Sequence, residues 1–192
     1  FSGSGATAGL NRLVALLDIP ARLARGERVV VLVGPYEHHS NLLPWRESGA
    51  EVIEVAEAAA GGPDLDDLQA HLDAAKGAAL IVGSFSAASN VTGIMTDSDE
   101  VTRLLKQGGA LAIWDFAGGG PYMEMSMQTG TDCAKDAIVF SAHKFPGGPG
   151  ASGLLIADRS LFDTVRPTLT GGGTVSYVTA EGHSYISDPE HR

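Results

Sequence analysis

The sequence predicts an α/β protein in which helices cover both faces of a mostly parallel β-sheet, forming a three-layer sandwich. Short, almost continuous apolar segments recur along the chain, as expected for strands that are buried on both faces. Segments with helical spacing of apolar residues lie between them, and such alternation favours parallel strands with right-handed crossovers. The 192 residues are 44% hydrophobic, which is enough material for one sizeable core.

Six apolar segments are predicted to form the strands. The first, residues 28–33, is almost entirely aliphatic and ends at Gly34-Pro35, a pair that terminates a strand. The second, residues 51–55, alternates polar and apolar side chains. The remaining four are residues 78–82, 110–114, 137–140 and 152–157. Loops of small residues are predicted at 83–93 and at 171–177.

Amphipathic segments between the strands are predicted to be helices. Apolar side chains recur with a helical period in residues 10–17, and Pro20 follows the predicted end. Residues 64–72 begin with the acidic side chains that helix N-termini prefer, and residues 96–107 begin with a Thr-Asp-Ser-Asp capping sequence. A short helix is expected around residues 160–165.

The charge balance argues against several classes of partner. The net charge is −10 and the sequence pI is near 4.9, so neither nucleic acid nor an anionic membrane is expected to bind. No apolar run approaches the ~20 residues of a membrane span, and the first residues do not resemble a signal peptide. With Cys133 as the only cysteine, no internal disulfide or thiolate metal site is expected. A reducing, cytoplasmic location is therefore predicted.

Residues 1–192 are predicted to be a single domain that is truncated at both ends. The chain has no initial methionine, and it opens within a loop that looks functional. It stops in polar sequence, residues 188–192, without a closing element. We therefore expect a central region of a longer protein.

A glycine-rich loop, residues 3–9, precedes the first predicted helix. Backbone N–H groups at a helix N-terminus point along the positive end of the helix dipole and bind anions, and Thr7 adds a hydroxyl group. An ordinary flexible helix entry explains the loop about equally well. The pattern Gly3-x-Gly5-x-x-Ala8 also matches a loose dinucleotide fingerprint, although no strand precedes it in the sequence.

Polar side chains follow three of the predicted strands, where open parallel sheets bind ligands. His38 suits a stacking or acid–base role, although a surface His38-His39 pair is the plainer alternative. Asn90 is the best ligand-binding side chain in its loop, although it is also a common turn former. Asp115 ends a buried strand, where a carboxylate is costly unless a cation or a donor pairs with it.

Lys144 lies between the predicted strand at 137–140 and a loop rich in glycine and proline, residues 146–150. Most lysines are solvated surface residues. A lysine between a buried strand and a rigid loop is expected to be badly placed for solvation. We therefore predict that Lys144 forms a Schiff base.

Together these residues match pyridoxal phosphate in physical terms. A lysine binds its aldehyde as an imine, a carboxylate keeps its pyridine nitrogen protonated, and a helix N-terminus takes its phosphate. An imidazole, here His38, can stack on its ring. The sequence has no HExxH motif, no Gly-x-Ser-x-Gly elbow and no P-loop, which argues against a zinc protease, an α/β-hydrolase and a P-loop nucleotide-binding protein.

Five motifs, in order along nearly the whole chain, resemble the class V aminotransferase family, and within it the cysteine desulfurase and selenocysteine lyase branch. They are Ser4-Gly5-Ala6-Thr7, Glu37-His38-His39-Ser40-Asn41-Leu42-Leu43-Pro44-Trp45, Ser89-Asn90-Val91-Thr92-Gly93, Asp115-Phe116-Ala117 and Ser141-Ala142-His143-Lys144. The resemblance implies a transferase-type enzyme dependent on pyridoxal 5′-phosphate, with the fold of the large domain of such enzymes.

The resemblance also implies a role for each matching residue. Lys144 matches the Schiff-base lysine and catalytic proton carrier, and Asp115 matches the partner of the pyridine nitrogen. His38 matches the catalytic histidine that stacks on the cofactor ring, and Asn90 matches an asparagine near that ring. The phosphate-binding positions correspond to Ala6, Thr7, Ser141 and His143. No metal is implied.

The resemblance predicts desulfurase or lyase chemistry on a small amino acid, in a homodimer that passes sulfur to an acceptor protein. Two departures leave the reaction open. Gly118 occupies a position where the family's desulfurases usually have Gln, and their nucleophilic cysteine and carboxylate-binding arginine lie beyond residue 192. Cys133 does not match that cysteine.

The first alternative is another reaction on this fold, such as that of a β-lyase, an aminotransferase or an isomerase. The second is a truncated, non-catalytic domain, and a dehydrogenase is a distant third. Residues 1–192 alone are expected to be inactive.

Overall fold

A computed structural model describes residues 3–162 and 166–188 of the protein. A six-stranded sheet lies at its centre. The strands are β1 (Val29–Val33), β2 (Glu51–Glu54), β3 (Leu80–Ser86), β4 (Leu111–Asp115), β5 (Ala137–Ser141) and β6 (Gly153–Ala157). Their spatial order is β2-β1-β3-β4-β5-β6, and all neighbours are parallel except β5 and β6, which are antiparallel. The prediction of a mostly parallel sheet is confirmed.

Helices and a small hairpin complete the described structure. The α-helices are α1 (Gly5–Leu16), α2 (Ile19–Ala24), α3 (Leu43–Glu47), α4 (Leu65–Ala74) and α5 (Ser98–Gln107). Short 3-10 turns cover His39–Asn41, Ala142–Lys144, Arg159–Phe162 and Gly172–Thr174. Two further strands, β7 (Val175–Val178) and β8 (His183–Tyr185), pair antiparallel and form a separate two-stranded sheet.

Two hydrophobic cores, one on each face of the sheet, make the fold a three-layer sandwich. Val31 of β1 faces one core, where it joins Leu10 of α1. The next residue, Leu32, faces the other core with Leu68 of α4 and Leu105 of α5. All of these side chains are fully buried. Because successive residues of a strand point to opposite faces, a strand without polar residues needs cover on both sides, and the helices provide it.

The helix caps follow the predicted chemistry. Asp64 accepts hydrogen bonds from the backbone N–H groups of Asp66 and Asp67 at the start of α4, both at 3.0 Å. Asp97 accepts two such bonds at the start of α5, from Asp99 (3.1 Å) and Glu100 (3.0 Å). These carboxylates satisfy N–H groups that have no partner inside the helix, so both N-termini agree with the sequence.

Several boundaries differ from the prediction. The first helix already begins at Gly5, so the glycine loop is itself helical, and Pro20 lies in the first turn of α2. Strand β3 continues to Ser86, within the loop predicted at 83–93, because its last residues still pair with β4. The chain from Val175 forms β7 rather than a loop.

The C-terminal end of the described chain agrees only in part with the prediction. The short helix expected around 160–165 is a 3-10 turn, Arg159–Phe162, and residues 163–165 lie outside the described residues. Within the described residues, no helix is long and apolar enough to cross a membrane.

The order of the strands creates a crevice between β1 and β3. After β1 the chain crosses to β2 through α3, whose Trp45 packs in the same core as Leu10 of α1. After β3 it crosses to β4, on the other side, through α5, whose Leu105 packs in the opposite core. The two connections leave the sheet in opposite directions, so the loops beyond the carboxyl ends of β1 and β3 separate. Ligands of open α/β sheets bind at such a switch point.

Candidate active site

A cleft of about 190 Å³ lies at the carboxyl ends of β1, β3, β4 and β5, next to the N-terminus of α1. All eight residues singled out in the sequence line it: Ala6, Thr7, His38, Asn90, Asp115, Ser141, His143 and Lys144. They come from five separate segments of the chain. The structure thus brings these residues together, and their individual roles stay predictions.

The N-terminus of α1 forms one wall of the cleft and has the features of an anion site. The N–H of Ala6 donates to Ser141 Oγ at 2.9 Å, which leaves the hydroxyl hydrogen of Ser141 free to donate to a ligand. Thr7 Oγ1 donates to Ser40 Oγ at 2.7 Å. His143 lies on the same wall, and these donors converge at the positive end of a 12-residue helix.

Gly5 is required by the shape of this wall. Its φ of +62° is in the left-handed region, and a Cβ there would lie 2.9 Å from Ser141 Oγ and 3.0 Å from the His143 ring. Real Cβ atoms do not approach side chains this closely. The cradle between α1 and β5 therefore depends on a residue without a side chain.

Asp115 forms the floor of the cleft at the end of β4. It is buried, and its Oδ1 accepts a hydrogen bond from the N–H of Ala117 at 2.7 Å. Burial raises the pKa of this carboxyl, while the Ala117 bond and the charges of Lys144 and His38 lower it in part. A carboxylate in this position is stabilised by any further cation that enters the cleft.

Lys144 lies at the rim of the cleft, in the 3-10 turn that follows β5. The expectation that it is poorly solvated is wrong, because the lysine is exposed. The loop after it turns away: a Cβ at Gly148 would lie 2.1 Å from the Ala142 carbonyl oxygen, so this loop packs on the backbone of the turn and not over the amine. Within the described chain, no carboxylate lies within ion-pair distance of Lys144.

His38 precedes a 3-10 turn at the end of β1, and its Nδ1 accepts a hydrogen bond from the N–H of Ser40 at 3.1 Å. The neutral imidazole therefore has its proton on Nε2. The rings of His38 and His39 lie 5.9 Å apart and are tilted, and only the first lines the cleft. The two histidines do not act as a pair in this cleft.

Gly118 also lines the cleft, opposite Asn90. A Cβ at Gly118 would lie 3.1 Å from the carbonyl oxygen of Ala88 and 3.7 Å from Asn90 Cβ. A larger residue would require the loop that carries Asn90 to move by a few tenths of an ångström. The small residue at this position therefore fits the close packing of the two loops.

Sequence reasoning missed Glu37. Its carboxylate accepts hydrogen bonds from Asn41 Nδ2 (2.5 Å), from the Ser86 N–H (2.7 Å) and from Ser86 Oγ (2.7 Å). Burial raises its pKa to about 7, and the neighbouring Asp115 adds to the rise. The available signal was a glutamate next to His38, in the loop that follows the buried strand β1.

The sequence matches the family model for class-V aminotransferases over residues 3–192. The chain belongs to the class-V aminotransferase family. A family member from Pyrococcus abyssi, described as a probable cysteine desulfurase, is 32% identical over 86% of this chain. The cysteine desulfurase CsdA of Escherichia coli is 31% identical over 96% of it.

A solved structure shows the same fold in this family. The cysteine desulfurase of Thermococcus onnurineus superposes with a TM-score of 0.80 at 30% identity and covers 98% of this chain. This chain corresponds to 45% of that structure, to 40% of the Pyrococcus protein and to 44% of CsdA. The chain therefore spans less than half the length of these class-V relatives.

The family match argues against the alternative of a dinucleotide site at Gly3-x-Gly5-x-x-Ala8, since the chain belongs to the class-V aminotransferases. Of the residues ahead of α1, the structure describes Gly3 and Ser4, and Gly3 forms an isolated bridge with Gly153.

Proposed function

We propose that this chain is the cofactor-binding part of a pyridoxal phosphate-dependent enzyme that removes sulfur from cysteine. The observation that supports the proposal is the convergence of a buried carboxylate, an exposed amine and an anion cradle around one cleft: Asp115, Lys144 and the Gly5–Ser141 wall. Relatives described as cysteine desulfurases at 31–32% identity support the choice of reaction.

The residues of the cleft fit pyridoxal phosphate. The α1 N-terminus with Ser141, Thr7 and His143 offers donors to a phosphate group, in a cradle that a Cβ at position 5 would fill. Lys144 would hold the cofactor through its Nζ. Asp115 would pair with the pyridine nitrogen, since a buried carboxylate needs a cation. His38 and Asn90 would hold the cofactor ring.

The bound cofactor supplies an electron sink for charge at the α-carbon of an amino acid. The protein's own residues orient and move protons around it. An ionised Asp115 keeps a proton on a nitrogen next to it, because its buried charge stabilises a cation. A free Lys144 amine at the rim accepts and donates protons, and its exposure lets substrate approach it. His38, protonated on Nε2, is a second donor at the same edge.

The sulfur-accepting nucleophile is proposed to lie outside residues 1–192. Cys133, the only cysteine of the chain, is 3% exposed, contacts Thr131 Oγ1 at 3.3 Å, and does not line the cleft. A thiolate nucleophile must be accessible. We further propose a cytoplasmic homodimer of full-length chains that passes sulfur to an acceptor protein, with residues 1–192 as its large domain.

The absorption spectrum of the purified full-length protein with pyridoxal phosphate tests the cofactor assignment. The wild type is expected to show the visible band of a lysine-bound cofactor, and Lys144→Ala is expected to lose it. Lys76→Ala is the matched control, because Lys76 is an exposed lysine paired with Asp73 and does not line the cleft. A colourless wild type that takes up no added cofactor would overturn the assignment.

Another reaction on the same fold is a second candidate, because Gly118 stands where the family's desulfurases usually have Gln. Release of sulfide and alanine from cysteine by the full-length protein separates the two. A protein that binds the cofactor but transforms other amino acids and releases no sulfide would be a different lyase or an aminotransferase. The cofactor assignment would survive that result.

A further inference from the structure

Glu37 is a carboxylate behind the cleft that the proposed mechanism does not use. It follows β1, directly precedes His38, and is only partly accessible to solvent. Its Oε1 accepts the N–H of Ser86, and its Oε2 accepts both Asn41 Nδ2 and the Ser86 hydroxyl. Glu37 thus connects the segment that carries His38 to the end of β3. Ser86 lines the cleft, so one contact of Glu37 faces the ligand site directly.

The orientation of the Asn41 amide is determined by its buried neighbours. Asn41 Oδ1 accepts from Trp45 Nε1 at 3.3 Å and from Ser84 Oγ at 2.6 Å. An indole N–H can only donate, so the amide oxygen must face Trp45. The amide nitrogen then faces Glu37 and can only donate to it. All three of Asn41, Trp45 and Ser84 are fully buried, which prevents a flip of this amide.

Among the three described donors to Glu37, only the Ser86 hydroxyl can reverse its direction. The Ser86 N–H and the Asn41 amide nitrogen can only donate, because neither nitrogen has a lone pair that can accept a hydrogen bond. The Ser86 hydroxyl can either donate to an ionised Glu37 or accept from a protonated one, across the same 2.7 Å. A proton that Glu37 takes from solvent therefore has one acceptor among its described partners, Ser86 Oγ.

We propose that Glu37 and Ser86 form a proton-controlled hydrogen-bond switch in the cleft. With Glu37 ionised, the Ser86 hydroxyl points to Glu37 and presents only lone pairs to a ligand. With Glu37 protonated, the acid donates to Ser86 Oγ, and the Ser86 hydrogen turns towards the cleft as a donor. The protonated form therefore suits a ligand with an anionic oxygen, such as a carboxylate or a phenolate. Glu37 is a positioning residue, since it acts on the ligand through Ser86.

The charges around Glu37 allow the switch to work near neutral pH. Its pKa is about 7, raised by burial and by Asp115 against the hydrogen bonds from Ser86 and Asn41. Asp115 is the register partner of Ser86 in the sheet. The other charged or titratable groups at this end include Tyr36 and His38, on either side of Glu37 in the chain, His143 of the cleft, and Lys144, whose charge acts on Asp115. Asp115 is the carboxylate nearest to the switch among these groups.

An infrared titration of the full-length protein without cofactor tests the switch itself. The difference between wild type and Glu37→Gln isolates the protonated-carboxyl band of Glu37, and its midpoint is expected near pH 7. Ser86→Ala, referenced to the Ser86→Ala/Glu37→Gln double variant, removes a donor to the ionised form, so the midpoint is expected to rise by roughly one pKa unit. Ser40→Ala is the matched control, because it removes another cleft hydroxyl that bonds to Thr7 and not to a carboxylate.

The proposal would be overturned if the Glu37 carboxyl of the wild type titrated in the ordinary range of a glutamate. It would also be overturned if its midpoint in Ser86→Ala equalled that in the wild type. This readout needs no cofactor, so it remains decisive even if the proposed function fails. Ser86→Ala preserves the Ser86 backbone bond to Glu37. If the Glu37→Gln variants do not fold, the titrations of wild type and Ser86→Ala are compared directly, and the shift of the carboxyl midpoint between them supplies the test.

The effect on the ligand rests on the proposed function and is measured with pyridoxal 5′-phosphate. The dissociation constant of the full-length protein is determined from about pH 5.5 to about pH 8.5, spanning the titration of Glu37. Affinity is expected to fall through about pH 7 more steeply in the wild type than in Glu37→Gln, whose side chain cannot ionise. Identical pH profiles for wild type and Glu37→Gln would show that the switch does not reach the ligand. Absence of cofactor binding at every pH would contradict the proposed function instead.

Discussion

At the scale of single residues, the cleft is shaped by positions where a small or charged side chain has no substitute. Gly5 allows α1 to approach β5, and Ser141 receives the Ala6 N–H across that contact. Asp115 is the buried charge of the site, and Lys144 is its exposed amine. The N-terminus of α1, Asp115 and Lys144 therefore meet around one small cleft.

Gly5→Ala is expected to weaken the binding of pyridoxal phosphate. Its Cβ would strain a φ of +62° and displace Ser141 Oγ and the His143 ring. Loss of one hydrogen bond to a charged phosphate costs about 1.5–3 kcal/mol, so we expect at least a roughly tenfold increase in the dissociation constant of the full-length protein. Gly26→Ala is the control: its φ is +78°, but nothing lies within 4 Å. It should lower stability and leave cofactor affinity unchanged; an equal loss of affinity in both variants would contradict the cradle.

Glu37 is expected to make the protein less stable as the pH rises from acid to neutral. The pKa of this carboxyl increases from an ordinary 4.5 to about 7 on folding, so between these values the folded state holds the extra proton. The stabilisation is complete below about pH 4.5 and lost by about pH 7, and it amounts to roughly 3 kcal/mol. Urea unfolding of wild type and Glu37→Gln at several pH values measures it. The variant should show a shallower fall, and parallel curves would contradict the assignment.

At the scale of elements, α5 packs on β3 through the side chain of Leu105, which lies against Gly83. A Cβ on Gly83 would lie 2.4 Å from Leu105 Cδ2 and 3.0 Å from Leu105 Cγ, and Leu105 is fully buried. The helix therefore packs directly on the backbone of the strand. Leu105 belongs to the core that α4 and α5 form on one face of the sheet. In the same sheet β3 pairs with β4, which places Ser86 beside Asp115.

Gly83→Ala is expected to destabilise the protein by about 1–3 kcal/mol, because an overpacked core forces its neighbours off their preferred positions. Urea unfolding of the full-length protein measures the loss. Gly171→Ala is the matched control, since its backbone is extended and nothing lies within 4 Å of an added Cβ. Equal stability of the two variants would contradict the close packing of α5 on β3.

At the scale of the whole molecule, the parallel sheet separates two ends with different character. The carboxyl ends of the strands carry the cleft, whereas Cys133 lies before the start of β5, where Arg103 Nη2 is 3.8 Å from its sulfur. A five-residue strand spans about 17 Å, so the thiol and the cleft are far apart across the sheet.

Cys133→Ser in the full-length protein is expected to retain sulfide release from cysteine within about twofold, because variants away from a site change activity little. The thiol is buried and does not reach the cleft. Sulfide release and a thermal melt are measured together, so that a loss of folding is not mistaken for a loss of chemistry. A folded variant that releases no sulfide would make Cys133 the nucleophile.

The sequence by itself determined most of the strands, the capped helices α4 and α5, and the residues of the cleft. Hydrophobic periodicity and helix caps are local properties, so they can be recognised without coordinates. A parallel sheet brings the carboxyl ends of its strands to one edge. For this reason residues as distant in sequence as His38, Asp115 and Lys144 were predicted to meet, and they do line one cleft.

Only the tertiary structure decided the features that depend on contacts between distant segments. Strand β3 extends to Ser86 because β4 pairs with it, and the exposure of Lys144 depends on how the following loop folds back. The importance of Glu37 arises from Ser86, 49 residues away, and from burial, which raises its pKa. Desolvation and hydrogen bonding act between groups that the fold brings together, and no local pattern of residues records them.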